Sequence, residues 1–459
     1  MDNKNLLGIA GTRSGSGKTL ITLGFIRALR KKGLTVQPFK VGPDFIDPLY
    51  HEDVADRPSV NLDQFCMDDG VLNRTVDNYI GSADVGIIEG VMGLYDGKSG
   101  QPGLYSTAEL YRSLEVPYVL VVNAAGQSHS IAATIEGFIN HDDRLDCAGV
   151  VLTQVSSDRH EEMLCQSIED SLSTPVLGSI RSRDSLSLPS RHLGLDTAFL
   201  FDDSECLSGT VDDEITADLT LPGFLPDVSE ENGSLESVFK TERQPEVTIG
   251  VAWDDAFHFY YDCNLRLLKD AGAELVQVSP LADRTLPERL DGLYLGGGYP
   301  EQFADRLASN RCFLEDLKRR LREGLPAMAE CGGFMYLSRE ITDRSGDTYS
   351  MAGWFDATIR QRSTFQSLGY ISGSTTESHP FLESGLLLKG HEFHYSNCVI
   401  QGDFTPAIDL REGDGLGDGS SGIVRDNTIG SYGHWHFAAT PELANQFVDV
   451  CSTRRVSRV

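Results

Sequence analysis

The chain has 459 residues, 40% of them hydrophobic and 23% charged, and a formal net charge of −29. That length predicts two or three domains, each large enough to bury its own core. The negative field excludes nucleic acid and anionic membrane as natural partners, and no apolar run reaches the roughly 20 residues of a membrane helix.

In chain order, Met1-Asp-Asn-Lys-Asn5 runs directly into an apolar strand pattern without a secretory signal's architecture, so a cytoplasmic protein is expected. Strands are predicted at Leu6–Ala10, Thr35–Phe39, Val85–Glu89, Tyr118–Asn123 and Gly149–Thr153. Helical patterns fall at about 18–32, 105–114, 128–140 and 158–171. This alternation predicts a mainly parallel sheet covered by helices, an α/β fold.

The first strand hands over to the first helix through Gly11-Thr-Arg-Ser-Gly15-Ser16-Gly17-Lys18-Thr19. Such a loop cradles phosphate oxygens with its backbone N–H groups. Its lysine supplies charge to the β- and γ-phosphates, and its Thr hydroxyl meets Mg²⁺. Gly15, Ser16, Gly17, Lys18 and Thr19 are therefore the nucleotide-binding candidates, with Thr19 also a metal ligand. The strict pattern places Gly at position 12, where this chain has Thr12. Glu89 ends an apolar strand, and Asp44 and Asp47 lie just past another, with Lys40 before them. Open α/β sheets bind ligands at such strand ends, and hard carboxylate oxygens there suit Mg²⁺ beside ATP.

From Asp202 to about Glu246 acidic residues, Ser and Gly dominate, which reads as a helix plus an inter-domain linker. The expected domains are thus 1–201, a linker region 202–246 and a second α/β unit over 247–459. Its strands are predicted at Val247–Trp253, Glu274–Val278, Gly292–Leu295, Ala327–Glu330 and near Ile429–Tyr432. The nine cysteines form no C-x-x-C pair, so neither a zinc site nor a disulfide framework is expected.

Cys331 is distinguished by its context, Leu325-Pro-Ala-Met-Ala-Glu-Cys331-Gly-Gly-Phe-Met-Tyr-Leu. A strand meeting a helix through a tight elbow places a nucleophile at the tip. The two glycines admit neighbouring backbone, and the helix N-terminus is expected to lower the thiol pKa. Gly297 and Gly298 follow a strand and, with Gly332, are candidates to present N–H groups to an oxyanion. A base is needed. His434 and His436 form one candidate group, and His391 and His394 another. No carboxylate follows His434 at short spacing, so a triad acid comes from elsewhere or the site is a dyad.

Together these segments resemble the cobyrinate a,c-diamide synthase family, over nearly the whole chain. The stretches that carry the resemblance are Gln37-Pro-Phe-Lys-Val-Gly-Pro-Asp44-Phe-Ile-Asp47, Glu89-Gly-Val-Met-Gly-Leu-Tyr-Asp96-Gly, Leu188-Pro-Ser-Arg-His-Leu-Gly-Leu195, Leu295-Gly-Gly-Gly-Tyr-Pro-Glu301, Ala329-Glu-Cys331-Gly-Gly and Gly390-His-Glu-Phe-His-Tyr-Ser396. The resemblance implies a P-loop synthetase domain similar to dethiobiotin synthetase, joined to a class I glutamine amidotransferase domain. It implies that Cys331 is the glutaminase nucleophile, that His434 raises its nucleophilicity, and that the triad acid is missing. It implies that Lys18 and Thr19 handle ATP and Mg²⁺, with Asp44, Asp47 and Glu89 around the metal and a phosphorylated intermediate. Glutamine and a polycarboxylate tetrapyrrole are the implied substrates, the a- and c-acetates being amidated in turn, in cobalamin biosynthesis.

A −29 chain needs local cations to meet such a substrate, and Lys40, Arg191 and His192 lie in the matched segments. Three departures stand out: Asn123 where relatives often have Asp, Thr153-Gln154 where Asn-Arg is common, and Trp253 where a basic residue is frequent. The first two keep open the same chemistry on sirohaem, nickel-sirohydrochlorin or hydrogenobyrinate. A P-loop ATPase switch protein is a remote alternative, disfavoured by Cys331 and the glycine-rich loop. A homodimer is left open.

Overall fold

The computed structural model describes residues 5–182, 219–223, 225 and 245–457, with the side chains of 455–457 left aside. The chain divides into two compact units, Met1–Lys240 and Thr241–Val459.

In the first unit the strands are β1 (Leu6–Gly11), β2 (Val36–Val41), β3 (Val60–Leu62), β4 (Val85–Glu89), β5 (Tyr118–Asn123), β6 (Cys147–Val155) and β7 (Val176–Arg181). They form one sheet in the order β3-β2-β4-β1-β5-β6-β7, every pair parallel. All residues of β1, β2 and β4 are buried, as expected of strands covered on both faces. Helix α1 (Lys18–Lys31) follows β1, and α2 (Asp47–Ala55) follows β2.

Three elements here escape the sequence pattern. Strand β3 has only three residues, and β7 is partly exposed. Helix α2 carries Pro48 in its first turn, where a missing N–H is harmless. Asp47 is thus the first residue of a helix and not a loop residue.

Most of the segment expected as helix and linker, 202–246, lies outside the described residues. Leu219 and Leu225 are nevertheless buried in the core of the first unit, against Leu177 and Ile180. Part of what composition reads as linker therefore belongs to that unit, because apolar leucines at this spacing find a groove to fill.

In the second unit the first four strands are β8 (Val247–Ala252), β9 (Ala273–Val278), β10 (Gly292–Leu295) and β11 (Ala327–Glu330). Next come β12 (Glu340–Thr342), β13 (Thr348–Ser350), β14 (Ala357–Gln361), β15 (Ser367–Thr375) and β16 (Leu387–His394). The last are β17 (Ser396–Ile400), β18 (Thr405–Glu412), β19 (Ser420–Arg425), β20 (Thr428–Ser431) and β21 (His434–Trp435).

Ten strands form one sheet in the order β21-β16-β15-β18-β19-β20-β11-β10-β8-β9. Its β20-β11-β10-β8-β9 half is parallel and the remainder antiparallel. Strands β13-β12-β14-β17 form a separate four-stranded sheet. The large sheet coils until its edge strand β21 returns to the C-terminal end of β11, where the Trp435 amide donates to Glu330 at 3.1 Å. That closure brings residues about 100 positions apart into one site. Among the described residues, no helix is long and apolar enough to cross a membrane.

Candidate active sites

The phosphate loop joins β1 to α1. Gly15 and Gly17 have φ of 72° and 95°, backbone that favours glycine. Gly11 is required for a different reason: a β-carbon there would fall 2.2 Å from Ser16 Oγ. Lys18 Nζ donates to the carbonyls of Met92 (2.6 Å) and Arg13 (3.3 Å), so its ammonium lies between the loop and the segment after β4. The Thr153 hydroxyl donates to Ser16 O at 2.7 Å, and its methyl packs where a Gly17 side chain would point. Thr153 thus braces the loop from β6. The Asn123 carboxamide accepts from Ala125 N at 3.0 Å, closing a turn after β5. Gln154 has a left-handed φ of 59°.

Beside the loop lies a buried charge network centred on Glu89. Its Oε1 accepts from Thr19 Oγ1 at 2.9 Å and from Lys40 Nζ at 2.9 Å, and its Oε2 pairs with His51 Nε2 at 2.6 Å. Lys40 Nζ also meets Asp47 at 2.5 Å and Asp44 at 3.8 Å. Burial pushes the Glu89 carboxyl up, but Lys40 and His51 outweigh that cost and Asp47's repulsion, leaving it below the usual carboxylate range. Asp44 Oδ1 accepts from the amides of Ile46 and Asp47 and starts α2. Asp44, Asp47, Glu89, Lys40 and Thr19 therefore converge in one cluster.

One expectation changes. Lys40 has a side chain only 1% exposed and sits among this chain's own carboxylates, so it is not a surface cation for a substrate. Arg191 and His192, the other two substrate-binding candidates, lie outside the described residues. His51 was not foreseen. It sits one turn after Asp47 on α2 and is held by Ser59 Oγ at 3.0 Å. Its i+4 spacing from Asp47 becomes a signal only once α2 is known to be helical. Among the described residues, no group of three or more His, Cys, Asp or Glu side chains is arranged to hold a metal ion alone.

The second site forms where β11 ends. Cys331 has φ 45° and ψ −102°, a strained elbow of the kind that costs about 1–3 kcal/mol and persists where the surroundings enforce it. Its amide donates to Ser431 O at 2.7 Å, Gly333 N to Gly296 O at 2.9 Å and Met335 N to Cys331 O at 2.9 Å. Both glycines after it are sterically required. A β-carbon on Gly333 would fall 2.2 Å from Leu295 O, and one on Gly332 would fall 3.0 Å from Gly298 N.

The backbone at Gly298 and Gly332 is thus brought together beside the thiol. Gly297 does not join them as a donor: its N–H is engaged with Phe259 O at 3.2 Å in a β-bridge. What Gly297 supplies is space, because a side chain there would fall 2.4 Å from His434 Cε1.

His434 is consequently seated on the glycine loop next to the elbow. Its ring stacks on His391, its cross-strand partner, with centroids 4.8 Å apart and planes 13° apart. His391 is in turn fixed by Tyr261 Oη at 2.7 Å. His394 is fixed by Ser396 O at 2.8 Å and stacks on Tyr432, and His436 accepts from Ala438 N at 3.3 Å. Burial, with His394 adding to it, pushes His434 down to about 3, so its ring is neutral at neutral pH.

The thiol behaves contrary to the expectation of a lowered pKa. Burial holds it well above its ordinary value, Glu301 adds to this, the Gly332 amide partly opposes it, and Glu330 and Glu392 raise it further. The helix at Gly332–Leu337 has only six residues, and its N-terminus does not overcome the burial of the thiol. The thiol is therefore protonated at neutral pH. Trp253, the third departure, stacks on Tyr260 at 5.5 Å.

The two sites coincide with two family matches. Residues 7–195 match the CobQ/CobB/MinD/ParA nucleotide binding domain, and residues 248–442 match the CobB/CobQ-like glutamine amidotransferase domain. The chain is 41% identical over 451 residues to the cobyrinate a,c-diamide synthase of Syntrophotalea carbinolica, covering 96% of this chain and 98% of that one. It is 36% identical over 466 residues to that of Priestia megaterium, covering 100% of this chain and 99% of that one. It is 38% identical over 460 residues to that of Salmonella typhimurium, covering 98% of each. With a nucleotide-binding P-loop unit, a glutamine amidotransferase unit and relatives matched end to end, the chain belongs to the cobyrinate a,c-diamide synthase family.

Proposed function

We propose that this chain amidates the a- and c-acetate carboxylates of cobyrinate, taking nitrogen from glutamine and driving each amide with ATP. The observation that carries the reading is the presence in one chain of a phosphate loop backed by the Thr19–Glu89 contact and of a Cys331 elbow and a neutral His434 that meet the same glycine loop.

A carboxylate is a poor acceptor of ammonia at neutral pH. Transfer of the γ-phosphoryl group of ATP to the substrate carboxylate gives an acyl phosphate with a good leaving group. That transfer needs mainly positioning and charge neutralisation, the tasks of the loop amides and Lys18. Thr19 Oγ1 and Glu89 Oε1, hard oxygens 2.9 Å apart, are the groups that would hold Mg²⁺. Bound there, Mg²⁺ would neutralise phosphate charge. Lys40, shared between Glu89 and Asp47, keeps the local charge balanced, and His51 orients the Glu89 carboxylate.

In the other unit His434 takes the thiol proton as Cys331 Sγ attacks the carboxamide carbon of glutamine. The oxyanion faces the Gly298 and Gly332 amides. His434 then returns the proton to the leaving nitrogen, ammonia departs, and water clears the glutamyl thioester. Ammonia displaces phosphate from the acyl phosphate, giving the amide.

His434→Ala is expected to slow glutaminase turnover about 10²–10⁴-fold, the range for losing a general base. Steady-state glutamate release checks it. If His391→Ala or His394→Ala causes the larger loss, the base is assigned wrongly. The reading as a whole is tested by incubation with ATP, Mg²⁺, glutamine and, in parallel, cobyrinate, hydrogenobyrinate, sirohaem and nickel-sirohydrochlorin. Mass spectrometry should find two added amides on cobyrinate. Amidation of sirohaem or nickel-sirohydrochlorin in preference to cobyrinate would reassign the substrate.

A further inference from the structure

The glutaminase site lacks a carboxylate following His434, yet its nucleophile and base must keep register. Three hydrogen bonds and a peptide bond form a closed circuit that ties the elbow to the residue after His434. The Cys331 amide donates to Ser431 O at 2.7 Å. Ser431 Oγ accepts from the Trp435 indole Nε1 at 3.0 Å. The Trp435 amide donates to Glu330 Oε1 at 3.1 Å, and Glu330 is covalently joined to Cys331. Outside the circuit, Tyr294 Oη donates to Glu330 Oε2 at 2.8 Å, and Asn264 Nδ2 donates to Trp435 O at 2.8 Å. Every polar group of the Trp435 residue is thus fixed, and His434 immediately precedes it.

Glu330 is only 2% exposed. Burying a carboxyl group is costly, and an alkyl side chain would serve for packing alone. All four residues of β11 are buried, and Glu330 is the one acid among them, immediately before the nucleophile. Resting on the glutaminase reading above, we propose that Glu330 is a positioning residue that locks the His434–Trp435 strand to the Cys331 elbow. It does through the backbone what a triad carboxylate does through the imidazole. Burial pushes the Glu330 carboxyl up to about 8, so near neutrality it is largely the neutral acid, whose nearest analogue is glutamine.

The test uses the full-length chain and three variants. Glu330→Ala should lower glutaminase kcat about 10–100-fold, as a small misplacement of reacting groups does. KM for glutamine should stay within about threefold, and amidation from ammonium salts should be unchanged. Glu330→Gln retains an oxygen for the Trp435 amide and should restore kcat to within about threefold of the parent. Trp435→Phe removes the indole donor and should lower kcat in the same sense, which keeps the proposal testable if Glu330→Ala does not fold. A Glu330→Ala kcat within twofold of the parent, or a Glu330→Gln defect as deep as that of Glu330→Ala, overturns it. Cys331→Ala, assayed alongside, separates the two levels: loss of glutamine use there with no effect of Glu330→Ala sinks the positioning role alone. Retained glutamine use in Cys331→Ala sinks the glutaminase reading beneath it.

Discussion

Cys331→Ala should eliminate glutamine-supported amide formation, by at least about 10³-fold, while amide formation from ammonium salts continues at the parental rate. The asymmetry follows from where the residue acts. Its Sγ is needed to break the carboxamide bond of glutamine and has no part in making the acyl phosphate. Free ammonia supplied at mildly alkaline pH bypasses that step. The substitution should leave the fold intact, because the contacts that hold the elbow are made by backbone. The Cys331 amide still reaches Ser431 O, and Met335 N still reaches the residue-331 carbonyl. The assay is amide formation with each nitrogen source, read by mass spectrometry, with glutamate release in parallel. Equal loss with both sources would mean that Cys331 supports the fold and not the chemistry.

Lys18→Ala should abolish amide formation from both nitrogen sources. Lys18 is the cation of the loop, its ammonium spanning the Arg13 and Met92 carbonyls. Loss of one donor aimed at developing charge typically costs about 10²–10³-fold. Here the lost group also carries a full positive charge. Glutaminase turnover measured without macrocycle should persist, since Cys331 and His434 belong to the other unit. Amidation from ammonia that survived in this variant would place the nucleotide elsewhere.

The chemistry of both sites was legible because each is local in sequence. Gly15 through Thr19 are contiguous, and Cys331 carries its elbow in its flanks. Glu89 was readable as the polar end of an apolar strand, and the β1–β6 alternation announced a parallel sheet. What escaped was built from distance. His51 depends on α2, whose helical pattern is weak and which carries Pro48 in its first turn. The antiparallel half of the second sheet was invisible because β15 is rich in Ser and Gly and β18 carries Pro406 in its second position, signals that usually mark turns.

Two readings of charge failed for one reason. Lys40 looked like a free cation and Cys331 like an activated thiol, and burial decides both. No spacing rule reports burial for a single residue. Thr153 shows the same limit: its brace on Ser16 crosses 137 positions.

The burial of Cys331 also shapes its life between turnovers. Alkylating reagents and peroxides attack thiolates far faster than thiols. A buried sulfur kept protonated is poorly reactive toward both, whereas Cys312 is exposed. The arrangement that makes the nucleophile dependent on its base is thereby also a chemical safeguard. The enzyme spends its idle time with its reactive atom in a form that oxidants in the surrounding medium hardly touch.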